Sequence, residues 1–298
     1  MKLKDSIIRC LKKNHADIVG FAPAERFADM GVYELMPEAK TVIGAAFRML
    51  RGAYSGMELG TTFYQYPAAI QCIEETIIPL ALLRCTDVIE EAGYISLPLR
   101  RQMLVSATAD EANPEVIPSA VYRNIPTESH FDFVSAGVLC QLGERGVLGT
   151  LLTDYFGPMQ RLGFIITDVE IEPTADYIAH LCDHCGKCAD ACPGNAISKD
   201  GMVDGWQCAA YYAGLNRSTN PFMPEDALSN EPEREAILEG SIKLGINRAR
   251  RLINEIHYYG GVQYGYAPCI CARACHLACY RHLMEKGVLR NRRLTAVP

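Results

Sequence analysis

No stretch of the 298-residue chain strings together about 18 or more apolar side chains, which excludes a membrane-spanning helix. No internal repeat or low-complexity tract is present. With 49% hydrophobic and 21% charged residues and a mean hydropathy of +0.01, disorder is excluded as well, because apolar burial can offset the entropy of ordering. The opening MKLKDSIIRCLKKNHADIVG breaks each apolar run with Lys or Arg, so it has no secretory h-region, and the arginine pairs at 100–101 and 250–251 lie far inside. Positive charge is not in excess: 29 basic against 35 acidic residues give −6. That balance argues against a partner held mainly by counterion release, and Arg281, Lys286, Arg290, Arg292 and Arg293 read as the solvated end of a C-terminal helix. Thirteen cysteines fall well short of the roughly 8–10% of a disulfide scaffold. A reducing, cytoplasmic location is expected, in which clustered thiols mean metal or redox chemistry.

What is present divides the chain in two. Apolar periodicity predicts a helix over 4–14 with Ile7, Ile8 and Leu11 inward, strands at 17–21 and 41–47, and a helical stretch from 64 to 91 interrupted by Pro79 and stopped at Gly93. A polar, proline-containing loop follows at 108–128, then a helix over 131–142 and a strong strand at 162–171. The sum is α+β, bounded near residue 178. Residues 179–298 open with a cysteine run and carry a polar loop at 216–233. A charged helix over 232–257 and a second cysteine run follow, the helical insert spanning about 216–262.

The chemistry is concentrated in Cys182-Asp-His-Cys185-Gly-Lys-Cys188-Ala-Asp-Ala-Cys192-Pro193, a C-x2-C-x2-C-x3-C-P run without deviation. Three thiolates two residues apart fold around three corners of an iron–sulfur cubane, Gly186 permits the tight turn, and exposed N–H groups point at the sulfurs. Zinc favours two well-separated C-x2-C pairs, not four cysteines in eleven residues closed by proline. One cubane needs four thiolates and two need eight. The region supplies nine: Cys182, Cys185, Cys188, Cys192, Cys208, Cys269, Cys271, Cys275 and Cys279. The first site takes Cys182, Cys185 and Cys188 with Cys275 or Cys279. Cys192 and Cys208 join two of Cys269, Cys271 and Cys275, so four distal cysteines compete for three seats. His184 and His276 are dispensable as ligands with thiols in excess. Cys10, Cys72, Cys85 and Cys140 sit in helical patterns as buried small hydrophobes, and Trp206 has a packing role.

Several segments in order resemble the epoxyqueuosine reductases and their relatives, the corrinoid-dependent reductive dehalogenases. They are DIVGFAPAERF (17–27), AKTVIGAAF (39–47), EEAGYISLPLR (90–100), SAGVLCQLGERGVLGTLLTDYFGPMQRLGFIITDVEIEP (135–173), the cysteine run, and DGWQCAAYY (204–212). The distal set matches the family's C-x2-C-x3-C-P only loosely, as C-x-C-x3-C-x3-C without a following proline. The resemblance implies a nitroreductase-like N-terminal domain over 1–178 holding a corrinoid (cobalamin), and a bacterial ferredoxin-like domain over 179–298 with two [4Fe–4S] clusters. In that scheme electrons pass from cluster to cluster and reduce the cobalt to Co(I), which meets the substrate in a closed pocket.

Where epoxyqueuosine reductases carry an acidic proton donor, in a V-D-S-A-P-like segment, this chain reads Val121-Tyr122-Arg123-Asn124-Ile125-Pro126, and Arg123 stands at the acid's place. A guanidinium stabilises an anion but is a poor proton donor. Tyr122 beside it donates instead, as a tyrosine with a basic residue does in the dehalogenase branch. Arg123, Asn124 and Gly146 are the candidate cofactor contacts, and Glu128 and Glu144 are the other nearby acids. The chain also ends without the helical-repeat extension of some tRNA-acting relatives.

These features lead to an oxidoreductase of low-oxygen metabolism that takes electrons from a low-potential donor such as a ferredoxin or flavodoxin and reduces a small molecule. The alternatives are an electron-transfer or activator protein without its own catalytic cofactor, and a reductase acting on tRNA. A flavin is disfavoured by the lack of a Gly-rich dinucleotide fingerprint after a strand.

Overall fold

The computed structural model describes residues 2–59, 70, 72–99, 131–256, 270–271 and 273–290. Helix α1 (Leu3–Lys13) buries Ile7 and Leu11, four residues apart on one face, and its last turn carries Lys12 and Lys13 where the helix dipole favours cations. Strand β1 (Ile18–Pro23) leads through a 3₁₀ turn (Ala24–Met30) and a short helix α2 (Val32–Leu35) to β2 (Thr41–Arg48). Helix α3 (Arg51–Leu59) follows, then α4 (Ile78–Glu91), β3 (Ser96–Leu99), α5 (Phe133–Leu139), a hairpin of β4 (Glu144–Arg145) and β5 (Leu151–Leu152), and β6 (Gln160–Thr167).

The main sheet is antiparallel throughout, in the order β1-β2-β6-β3. Strand β2 is interior to it and buried along nearly its whole length, which is why TVIGAAFR reads as a continuous apolar run. Ile43, Ala45 and Phe47 turn to the side covered by α1 and α4, and Val42 and Ala46 to the side covered by α5. Gly20 and Gly44 face each other across β1 and β2. A Cβ at Gly20 would stand 1.9 Å from the Cys140 carbonyl oxygen, and one at Gly44 2.8 Å from Cys140 Cβ, so only glycine lets the end of α5 lie on the sheet.

Two features of the strands and helices depart from expectation. The apolar pattern over 162–171 outlasts the strand, which ends at Thr167 where its partner β3 begins. Beyond it, the Thr41 hydroxyl donates to the Val169 carbonyl and accepts from the Ile171 amide, so both residues stay buried without a ladder. The helix expected over 232–257 is two, α8 (Arg234–Glu239) and α9 (Ile246–Ile256), broken where Gly240 and Gly245 adopt left-handed φ of 74° and 69°. Before Pro79 the backbone widens into a π turn over Ile73–Ile77, because proline has no N–H to return and its ring crowds the preceding turn. Residues 64–69 and the loop at 108–128 lie outside the described residues.

The cysteine-bearing region adds α6 (Lys187–Asp190), α7 (Gly205–Tyr212) and α10 (Ala274–Glu285). One apolar core joins it to the rest: Tyr54 and Met57 of α3, Val147 and Leu148 of the hairpin, and Leu277, Tyr280 and Leu283 of α10. Tyr54 and Tyr280 meet edge to face with centroids 5.1 Å apart. A separate core holds α7, α8 and α9 together, with Trp206 packed against it and Arg250 stacked 5.4 Å over its ring. Among the described residues no helix is long and apolar enough to cross a membrane.

Candidate metal centres

The first cysteine run forms a loop that turns at His184 and Gly186, both with left-handed φ (58° and 76°), before entering α6. Cys182, Cys185 and Cys188 thereby line one small cavity, and the distal cysteine that lines it with them is Cys279 of α10. Its remaining walls include Val147 and Leu148 from the hairpin and Leu283 from α10. Cys185 is exposed and Cys188 is buried, so one side of this set reaches solvent. Burial and the three neighbouring thiols push the Cys279 thiol up to about 12. Burial raises the Cys188 thiol as well, although the Ala189 N–H pointing at its sulfur opposes the shift.

The second set has no exposed member. Cys192 follows α6, Cys208 lies on α7 behind an Asp204 cap that accepts from the Gln207 amide, and Cys271 and Cys275 arrive with the start of α10. Burial first, then the Cys271 thiol, takes Cys208 up to about 12. Burial first, then the Cys271, Cys208 and Cys192 thiols, raises Cys275 as well. Four neighbouring thiols, two of them desolvated, that repel one another as anions are a poor arrangement for thiolates alone. They become a good one around a cationic iron–sulfur group, which draws them into the deprotonated state. The Ala196 N–H donates to the Cys192 sulfur at 3.3 Å, a hydrogen bond that suits a ligating sulfur. Arg273, stacked 4.9 Å over the Tyr212 ring, supplies a cation close to Cys208 and Cys275.

Close packing behind Pro193 fixes the second loop. A Cβ at Gly194 would stand 2.1 Å from the Tyr211 ring. The Gln207 amide donates to the Gly194 and Ile242 carbonyls at 2.8 Å and accepts from the Leu244 amide at 3.0 Å. The Asn216 amide donates to the Pro193 carbonyl at 2.8 Å.

The first loop is held from two other directions. Asp183 accepts from His282 Nε2 at 2.9 Å and from Lys286 Nζ at 3.0 Å, tying the loop to α10. Asp183, Cys185 and His282 would suit a lone cation by distance, but the Lys286 ammonium already holds that carboxylate and Cys185 belongs to the thiol set. On the opposite side, the stretch leading into the loop is bonded residue by residue to the hairpin region. Gln141 Oε1 accepts from the Tyr177 amide at 2.7 Å, and the buried Asp154 carboxylate accepts from the Tyr177 hydroxyl and from Arg290. Buried Glu144 accepts from the amides of His180, Leu181 and Cys182.

Of the other residues singled out in the sequence, Tyr122, Arg123, Asn124, Glu128 and Cys269 lie outside the described residues. Gly146 sits in the hairpin loop, where a Cβ would press on Leu152 and Leu148 at 2.8–2.9 Å. His184 is exposed at the cavity rim, and His276 is buried on α10. Cys85 and Cys140 are buried small hydrophobes as expected, but Cys72 is exposed, since it lies off the apolar face of its turn. Cys10 is half-buried, with its thiol 3.5 Å from the Arg84 carbonyl. The Glu144 clamp and the Asp183 strap join residues at least 36 positions apart, so nothing local announced them, whereas Arg273 stands two residues from both Cys271 and Cys275, a signal the sequence did carry.

Residues 175–198 match the family model of the 4Fe-4S binding domain. The chain is similar to the tetrachloroethene reductive dehalogenase of Desulfitobacterium hafniense, 41% identical over 70 residues, which is 22% of this chain and 13% of that protein. It is also similar to the epoxyqueuosine reductase of Synechocystis sp., 34% identical over 77 residues, 26% of each chain. Among solved structures, a catabolic reductive dehalogenase in complex with 3-bromo-4-hydroxybenzoic acid aligns at a TM-score of 0.49 and 18% identity, over 90% of this chain and 37% of that one. An epoxyqueuosine reductase with a tRNA stem loop aligns at 0.48 and 12%, over 96% and 83%.

Proposed function

We propose that this chain is an iron–sulfur reductase with two [4Fe–4S] clusters, one on Cys182, Cys185, Cys188 and Cys279 and the other on Cys192, Cys208, Cys271 and Cys275. The observation that carries this reading is the sorting of eight cysteines into two sets of four, each converging from separate elements on one place. The resemblance to epoxyqueuosine reductases and reductive dehalogenases extends the reading to a corrinoid in a nitroreductase-like domain over residues 1–178. That group would supply a cobalt centre able to take electrons and engage the substrate.

The protein's own part is to fix the spacing of the two sites, keep water from the inner one and present a solvent-facing edge at Cys185 to a low-potential donor. Gly146 lies in the hairpin whose Val147 and Leu148 close the first site, so a group seated against that hairpin would be next to the first cluster. Tyr122 and Arg123 are the proposed proton donor and anion stabiliser, acting on a small molecule.

Anaerobic purification with iron and cobalt analysis, and an optical spectrum after adding hydroxocobalamin, tests the reading. About eight iron per chain with stoichiometric cobalt uptake is the expected result. Eight iron without cobalt makes the chain an electron carrier feeding another enzyme. About four iron breaks the assignment of the second set. Salt-sensitive tRNA binding would favour the tRNA-reductase alternative.

A further inference from the structure

Glu144 is an unexpected group beside the first set of thiols. It is only 8% exposed and lies on β4, in the two-residue strand that pairs with Leu151–Leu152. Its carboxylate receives the His180 amide at Oε2 (2.6 Å), the Cys182 amide at Oε1 (2.6 Å) and the Leu181 amide at both oxygens (3.2 and 3.1 Å). Only the bonds from N through Cα and Cβ to Sγ of Cys182 separate one of those donors from a sulfur of the first set. The same hairpin carries Val147 and Leu148 into the cavity wall, so the carboxylate sits behind an apolar cover and is poorly screened by water. Gly143 lets the strand turn this close: a Cβ there would meet the Leu152 carbonyl oxygen at 2.0 Å.

Two electrostatic consequences follow, and they have one sign. Iron–sulfur potentials depend on net charge, on hydrogen bonds to the sulfurs and on exposure to solvent. Three consecutive amides that could stabilise added negative charge are turned away to the carboxylate. The carboxylate also places a fixed negative charge beside a centre that becomes more negative when reduced. Both disfavour the electron.

We infer that Glu144 is the positioning residue of the first centre, holding the Cys182 end of the loop in place and lowering that centre's reduction potential through its charge. This rests on the assignment of an iron–sulfur cluster to Cys182, Cys185, Cys188 and Cys279. The reduction itself is a one-electron transfer from the external low-potential donor to the cluster, with no bond made or broken in the protein.

The test is an anaerobic redox titration of the full-length protein followed by electron paramagnetic resonance, with the first centre identified as the signal lost in Cys185→Ala. Glu144→Gln keeps the size and removes the charge, whereas Glu144→Asp keeps the charge on a shorter arm. The expected result is a first centre shifted to more positive potential in Glu144→Gln and near the parent value in Glu144→Asp, with the second centre unmoved in both. Loss of the first centre's iron from Glu144→Gln but not from Glu144→Asp would uphold the same role. Equal potentials in all three proteins overturn the inference, as does an equal shift or equal iron loss in the two variants. A parent protein that binds no iron defeats the cluster assignment itself, a result distinct from a loaded parent whose potential ignores residue 144.

Discussion

The two thiol sets have the same chemistry and opposite surroundings. The first is built on a tight loop with one sulfur in solvent, closed by a hairpin from the N-terminal half and flanked by the carboxylate of Glu144. The second lies among α7, α10 and the loop behind Pro193, with the Cys208 and Cys275 thiols desolvated and the Arg273 cation at hand. An exposed centre with a nearby anion and an inner centre with a nearby cation are matched to different tasks. Under the proposed two-cluster reading, the outer one would meet the donor and the inner one would hold an electron away from water. Placing identical ligands in different dielectrics and fields is how a protein gives two similar groups different potentials.

The largest expected effect would break this comparison outright. Cys279→Ala should remove the outer centre and Cys275→Ala the inner one, each lowering iron from about eight to about four per chain and abolishing one of two paramagnetic signals. If both variants lose the same signal, the division of the distal cysteines is wrong. A smaller effect is expected from Leu148→Ala, which opens the cover of the outer set. It should cost about 2–5 kcal/mol in chemical denaturation and speed bleaching of the outer centre by oxidant while leaving the inner one unaffected. On the other side, Gly194→Ala drives a methyl into the Tyr211 ring and should destabilise the inner set's loop by about 1–3 kcal/mol, read in the same denaturation assay.

The smallest effect belongs to Asp132, which caps α5 and pairs with Arg145 beside Glu144. Burial pushes its carboxyl up, but hydrogen bonds from the Ser135 hydroxyl and amide and the Arg145 charge outweigh this and hold it below the ordinary carboxylate value. Asp132→Ala should cost about 0.5–2 kcal/mol near neutrality. A carboxyl whose folded value lies below its unfolded value of about 3.9 contributes fully above that pH and loses its contribution as pH falls through the folded value. The difference in stability between parent and variant should therefore shrink below about pH 4. A difference that persists unchanged at pH 2 would show that Asp132 acts by packing alone.

Much of this organisation was legible in the residues. Ile7 and Leu11 announce the inner face of α1, and TVIGAAFR announces an interior strand, because local periodicity reports local burial. Where long-range partners decide, the pattern misleads: Val169 and Ile171 continue an apolar run that is no longer a strand, since the partner strand has ended. Charge patterning over 232–257 suggested one helix, but Gly240 folds against the Pro193 carbonyl and ends it. Gly240 and Gly245 were themselves local stop signals, and what only the fold adds is the contact 47 positions away that leaves no room for a Cβ at Gly240.

The sequence by itself determined that a C-x2-C-x2-C loop followed by Cys-Pro would gather sulfurs, because loop curvature depends only on neighbouring residues and on the glycine that lets it turn. The proposed seating of the distal cysteines rests on the tertiary structure. Cys275 and Cys279 are one helical turn apart on α10, about 6 Å along its axis, so a single helix serves two sites stacked along its length. Which cysteine meets which set depends on how α10 lies against the loop and the hairpin, and that is set by Tyr280, Leu283 and the Asp183 strap rather than by spacing. Glu144 is the same kind of case: a carboxylate 38 residues before Cys182 becomes its neighbour only once the hairpin is folded.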